Sequence, residues 1–262
     1  HHSNTDYEVL AGYSNAQQSL LFSGTPPPES TPPPTDAPTS SVPKTWQEIA
    51  GPLTRSAADV NNKDTKYGHA VALVDDYLTV GEPHYGNDKD VGNIAIYDRS
   101  GSVRNAEFGF VTDTLQFGYS LSARMVNNKP AMIVGAVDTK DVNEFARFGS
   151  AHVYERGDNG WEAVGDMIQP TILPSEAAGA FGASVAMASE KRRIVVGAPS
   201  SSVDLENIDT GRVYTFEFNG NAWEWMSAPL VGTKPGGLLG TSVDMSKDGS
   251  RMLIGSPGSR SG

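Results

Sequence analysis

The stretch Phe181–Trp223, FGASVAMASEKRRIVVGAPSSSVDLENIDTGRVYTFEFNGNAW, decides the fold. Its first segment alternates two kinds of side chain. Phe181, Ala183, Val185 and Met187 point one way, and Gly182, Ser184, Ala186 and Ala188 the other. A strand with one bulky and one small face suits a position between two sheets, where the bulky face of one fills the shallow face of the next. Ser189 to Arg192 turns the chain back into Arg193–Ala198, apolar on both faces and therefore central in its sheet. Pro199 ends that strand, because proline has no N–H to give to a ladder. A polar loop follows, then a strand Gly211–Phe218, a tight Asn219-Gly220 turn and a strand opening at Trp223.

Working outward, the same landmarks recur in the same order. Phe181-Gly182 returns as Tyr67-Gly68, Phe117-Gly118 and Leu239-Gly240. Val196-Gly197-Ala198-Pro199 returns as Val80-Gly81-Glu82-Pro83, Val134-Gly135-Ala136-Val137 and Ile254-Gly255-Ser256-Pro257. Gly211 with Val213, Tyr214 and Phe216 matches Gly92 with Ile94, Ala95 and Tyr97, and Gly149 with Ala151, His152 and Tyr154. Trp223 with Leu230 matches Trp46 with Leu53 and Trp161 with Ile168. An ordered series with a period of roughly 50 to 65 residues predicts an all-β chain of four-stranded β-propeller blades, about three and a half of them.

Phe-Gly followed by Gly-Ala-Pro resembles the FG-GAP repeat, the blade unit of the integrin α-subunit head, over residues 45–262. The resemblance implies a ring of about seven blades, a recognition or adhesion role, and a ligand face on the longer loops. It also implies calcium in the hairpin between first and second strands of some members. Here those hairpins are Asp75-Asp76, Val126 to Lys129, Ser189 to Arg192 and Ser246 to Gly249. None spaces enough carboxylates for the six or more oxygens that calcium takes, so no metal and no cofactor is expected.

Composition narrows the function classes. A net charge of −11 opposes nucleic acid and anionic membrane surfaces. The chain has no cysteine, hence neither a disulfide framework nor thiol chemistry. Its early apolar run, Leu20 to Phe22, is too short to span a bilayer. Residues 1–24 are weakly patterned and read as a flexible tail. Residues 25–44, rich in proline, serine and threonine, read as a stalk or linker with nothing to bury. Trp46 to Leu53 reads as an outer strand that pairs with a blade supplied from beyond the chain, or from a second chain.

Three histidines follow the tail. His69 and His152 occupy regular repeat positions, where copies carry Ala183 or Tyr214, and read as packing residues. His84 sits in a loop beside Tyr85, Asp88 and Asp90, and no second histidine stands at a sequence spacing that would share its site. No Gly-x-Ser-x-Gly elbow, phosphate loop or dinucleotide fingerprint occurs. The loops after the second strands share one face and carry the carboxylates: Glu82, Asp88 and Asp90; Asp138, Asp141 and Glu144; Asp204, Glu206 and Asp209. With His84 and Tyr85 they form the candidate ligand surface, suited to a basic peptide, a protein or a glycan. The expected role is an extracellular, cell-surface or lumenal recognition module without catalysis. The alternatives are a glycan-acting hydrolase or lyase with catalytic loops, and a structural component of a surface layer or matrix.

Overall fold

Alternating side chains and glycine-led turns build short antiparallel strands, and each strand's backbone is satisfied by its neighbour in sequence. The computed structural model describes residues 7–12, 18–24, 47–54, 65–85, 91–98, 114–139, 148–170, 179–204 and 206–258. Every element among them is a strand.

The first sheet holds β1 (Tyr7–Gly12), β2 (Gln18–Gly24) and β3 (Gln47–Thr54), and the second β4 (Val71–Val74), β5 (Tyr77–Glu82) and β6 (Asn93–Asp98). The third runs β7 (Thr114–Val126), β8 (Lys129–Thr139), β9 (Ser150–Gly157) and β10 (Gly160–Ala163). The fourth holds β11 (Ser184–Met187), β12 (Arg193–Ala198), β13 (Arg212–Phe218), β14 (Trp223–Trp225) and β15 (Leu230–Val231), the last two both pairing with β13. The fifth holds β16 (Ser242–Met245) and β17 (Met252–Gly255). Each sheet is an antiparallel meander, and the first strands β4, β7, β11 and β16 lie side by side. Sheets stacked this way are the blades of a β-propeller, so the fold is the all-β propeller class.

The cores lie between the sheets, as the two-faced strand requires. Phe181, Val185 and Met187 pack against Val126, Ile133, Ala151 and Ile168 of the preceding sheet. Ala186 and Ala188, on the small face, pack with Met245 of the following one.

The recurrent glycines make the close approach between sheets. A Cβ at Gly135 would sit 3.0 Å from the carbonyl carbon of Gly182, closer still to its oxygen, and Gly197 stands in the same relation to Gly240. The apolar–glycine turn also repeats in its backbone. The residue before it is left-handed in all four copies, with φ of 54° at Lys66, 61° at Gln116, 58° at Ala180 and 55° at Leu238. Gly92, Gly149 and Gly211 each form a parallel bridge to the aromatic or apolar residue opening the next sheet: Phe117, Phe181 and Leu239. The sequence repeat is therefore a stitching pattern between sheets.

One expectation is corrected. The segment read as a flexible tail carries β1 and β2, and β3 pairs with β2 inside this chain, Ser19 opposite Leu53, instead of with a blade from elsewhere. The upstream strands bear none of the glycine landmarks, so a comparison of repeats does not register them. Antiparallel pairing needs only backbone donors and acceptors in register. Leu53 is buried with Tyr67, much as its repeat counterpart Ile168 is buried with Phe181. The proline-rich residues 25–44 lie outside the described residues; the strands they join are neighbours in one sheet.

Candidate functional site at the loop face

Antiparallel pairing of β4 with β5 folds the residues before β4 onto those after β5. Gly68 N–H donates to Gly81 O at 3.0 Å, and His84 N–H donates to Thr65 O at 3.1 Å. His69 and His84, fifteen positions apart in sequence, thereby come close enough for the charge of His84 to act on His69. Gly81 in turn lies against Gly118 of the next sheet, which brings Tyr119 over His69. The two rings are 4.6 Å apart at a tilt of 54°. His69 is exposed, and His84, Tyr85 and Tyr119 are half-buried. Partial desolvation of its ring, then the charges of Lys66 and His84, lower the pKa of His69 from its ordinary value.

Beneath this surface lies a buried polar layer. The hydroxyls of Tyr67 and Tyr97 are hydrogen-bonded to one another; burial is the main cause that raises the pKa of both phenols, and the nearby Glu82 carboxyl adds to it. In the fourth sheet the same three positions are Phe181, Phe216 and Ala198, without a polar atom in their side chains. Volume is exchanged at the same time: Glu82 replaces Ala198, while Ala95 replaces Tyr214. The second sheet is thus a coordinated polar variant of the common core.

The sequence-derived site residues divide accordingly. Glu82 is not a loop carboxylate: it is the last residue of β5 and 2% exposed, because the strand continues one residue beyond the point where the loop was expected. His84 and Tyr85 do lie on the loop face. Asp138 falls within β8, its backbone opposite Leu115, and Asp88, Asp90, Asp141 and Glu144 lie outside the described residues. Asp204, Glu206 and Asp209 are exposed, but the Asp204 carboxylate accepts from the backbone N–H groups of Glu206 and Asn207 at 2.9 and 2.8 Å. The Asn207 side chain and these backbone bonds hold its pKa down, so Asp204 shapes its own loop. No group of three or more metal-ligating side chains occurs among the described residues.

The reading of His152 as a packing residue agrees with its place: it is 6% exposed, meets Phe117 edge-on at 5.3 Å and bonds Ser150 Oγ through Nε2 at 2.9 Å. His69 is different, and it and Tyr119 are the residues that sequence reasoning missed. Their signal was present in the repeat, since the residue after the apolar–glycine pair is Ala183 or Thr241 in two sheets and His69 or Tyr119 in the other two.

These features define a class: an all-β chain of stacked propeller sheets with an aromatic and histidine-rich patch on its loop face. No known family profile matches the chain, and no curated protein matches it. Among solved structures it is similar to a thermostable family-43 glycoside hydrolase, at 14% identity over 97% of this chain and 80% of that one, with a TM-score of 0.49. The fold assignment rests on the sheet order and the contacts between sheets described above.

Proposed function

We propose that this chain is a recognition module of the FG-GAP type, working outside the cell, and that it binds a glycan at the junction of the second and third sheets. The observation that carries the reading is the tilted His69–Tyr119 ring pair, with His69 exposed, Tyr119 half-buried and His84 near by. A sugar ring offers a flat C–H face to an aromatic ring and hydroxyls to an imidazole, and this patch presents both partners at once.

A second reading, a glycan-acting hydrolase, draws on the Glu82 carboxyl under the same patch. General acid or base work requires that carboxyl to reach the substrate, and at 2% exposed Glu82 is sealed beneath the surface. The binding reading is the stronger one.

The test is a glycan array followed by calorimetric titration of the best hit against the parent, Tyr119→Ala and His84→Ala. Losing a stacking ring worth about 1 kcal/mol weakens binding roughly fivefold, and losing an imidazole bond has a similar effect. Parent-like affinity in both variants refutes the site. Turnover of the bound glycan replaces the reading with the enzymatic one.

A further inference from the structure

The site proposed above carries a cluster of basic side chains that the repeat does not require. His69 N–H donates to Lys66 O at 3.0 Å within the turn that opens the second sheet, and His84 N–H donates to Thr65 O at 3.1 Å. Lys66, His69 and His84 thus hang from one short stretch of paired backbone, near enough for the charges of Lys66 and His84 to act on His69. Lys66 and His69 are exposed and His84 is half-buried. Their counterparts in the next three sheets are Gln116, Tyr119 and Asp138; Ala180, Ala183 and Ser200; and Leu238, Thr241 and Gly258. None of those copies has a basic residue at any of the three positions. The turn forms in every copy, with the first of these residues left-handed each time, so its geometry does not select lysine and histidine here.

The corner is also unbalanced in charge. The segments that meet there are 65–70, 81–85, 91–92 and 117–119: Gly92 N–H donates to Tyr85 O at 2.9 Å, and Phe117 N–H donates to Val91 O at 3.2 Å. Among these described residues Glu82 is the one carboxylate, and it is 2% exposed, beneath the surface. Basic groups held this close oppose one another's protonation, and an anion placed among them relieves the repulsion. Lysine brings a mobile ammonium, and an imidazole offers an N–H donor in either protonation state. The Tyr119 ring stands beside them, 4.6 Å from that of His69.

We infer that the glycan taken at the His69–Tyr119 corner is an acidic one, its carboxylate or sulfate ester held by Lys66, His69 and His84 while its ring lies against Tyr119. The inference rests on the binding role proposed above and names the class of its ligand. That ligand is opposite in sign to the basic partner that the loop carboxylates suit. With a net charge of −11 the chain as a whole repels acidic polymers, so adsorption elsewhere on its surface is opposed and selection falls to this cluster.

On a glycan array, the strongest hits should carry uronic acids or sulfate esters. The best of them is then titrated beside its neutral counterpart, methyl-esterified for a carboxylate or desulfated for a sulfate, which tells the two sources apart. The neutral form should bind at least about fivefold more weakly. The ratio of the two affinities should fall about threefold in Lys66→Gln, the size of one exposed ion pair. It should keep the parent value in Lys129→Gln, an exposed lysine at the far end of the β7–β8 ladder. Glutamine suits the backbone at position 66, since Gln116 occupies the same turn with φ of 61° against 54° at Lys66. An array whose hits are all neutral overturns the inference and leaves the binding role standing. Equal affinity for the acidic and neutral forms overturns it too, as does a loss in Lys129→Gln that matches the loss in Lys66→Gln. An array without hits removes the binding role itself, and the inference with it.

Discussion

Replacing Gly135 by alanine tests the contact on which the whole stack depends. The new methyl carbon would stand 3.0 Å from the Gly182 carbonyl carbon, whereas carbon atoms at rest are about 3.5–4.0 Å apart. Both partners are backbone, so the strain is relieved only by moving one sheet from the next. Overpacking of this kind costs about 1–3 kcal/mol. The same shift breaks the Ser120–Gly182 hydrogen bond, worth about 1 kcal/mol, for a total of about 2–4 kcal/mol. At about 2–4 °C per kcal/mol for a domain of this size, the melting temperature should fall by roughly 4–16 °C. Gly197→Ala should behave alike. The control lies within the molecule: at Gly255 the near neighbours of an added Cβ all belong to Ser242, whose hydroxyl can rotate away. Gly255→Ala should cost less than about 1 kcal/mol. Thermal and urea unfolding of the three variants make the comparison. If Gly255→Ala is as damaging as Gly135→Ala, the destabilisation does not come from contact between sheets and the reasoning fails.

Two further predictions concern the buried polar groups. Burial lowers the pKa of His152 from an ordinary 6.5 to about 4. The unfolded chain therefore binds more protons than the folded one between those values, and stability falls as pH drops from 6.5 towards 4. From pH 7 to pH 4.5 this group should remove about 2–3 kcal/mol, and His152→Phe should abolish that part of the slope; an unchanged slope in urea titrations at the two pH values contradicts the assignment. Tyr67→Phe and Tyr97→Phe should each cost about 1–2 kcal/mol by leaving the other buried hydroxyl without its partner. The double variant should cost less than their sum, and strict additivity in the cycle would show that the hydroxyl pair is not coupled.

Much of this architecture follows from local chemistry along the chain. Alternation in Phe181 to Ala188 specifies a two-faced strand, and the faces found their partners on opposite neighbours as their sizes require. Pro199 and Asn219-Gly220 mark strand ends, and both stand at the ends of β12 and β13. Glycine at fixed intervals signals places where backbones must meet, and the stitching between sheets is at those places. Such features are legible because each depends on the residue itself and its immediate neighbours.

The candidate site was less legible because it is made by distance relations that no residue carries alone. His84 looked solitary along the sequence, yet the β4–β5 ladder brings His69 back to it and the next sheet supplies Tyr119. Glu82 looked like a loop carboxylate until one more residue of strand carried it into the core. The first sheet escaped notice because backbone pairing, not side-chain pattern, joins β2 to β3. By itself, the sequence determined the unit and its repetition, since these are set by periodicity and turn chemistry. Only the tertiary structure decided which polar groups are sealed beneath the loop face and which stand open upon it, because burial depends on the sheet that arrives from elsewhere in the chain.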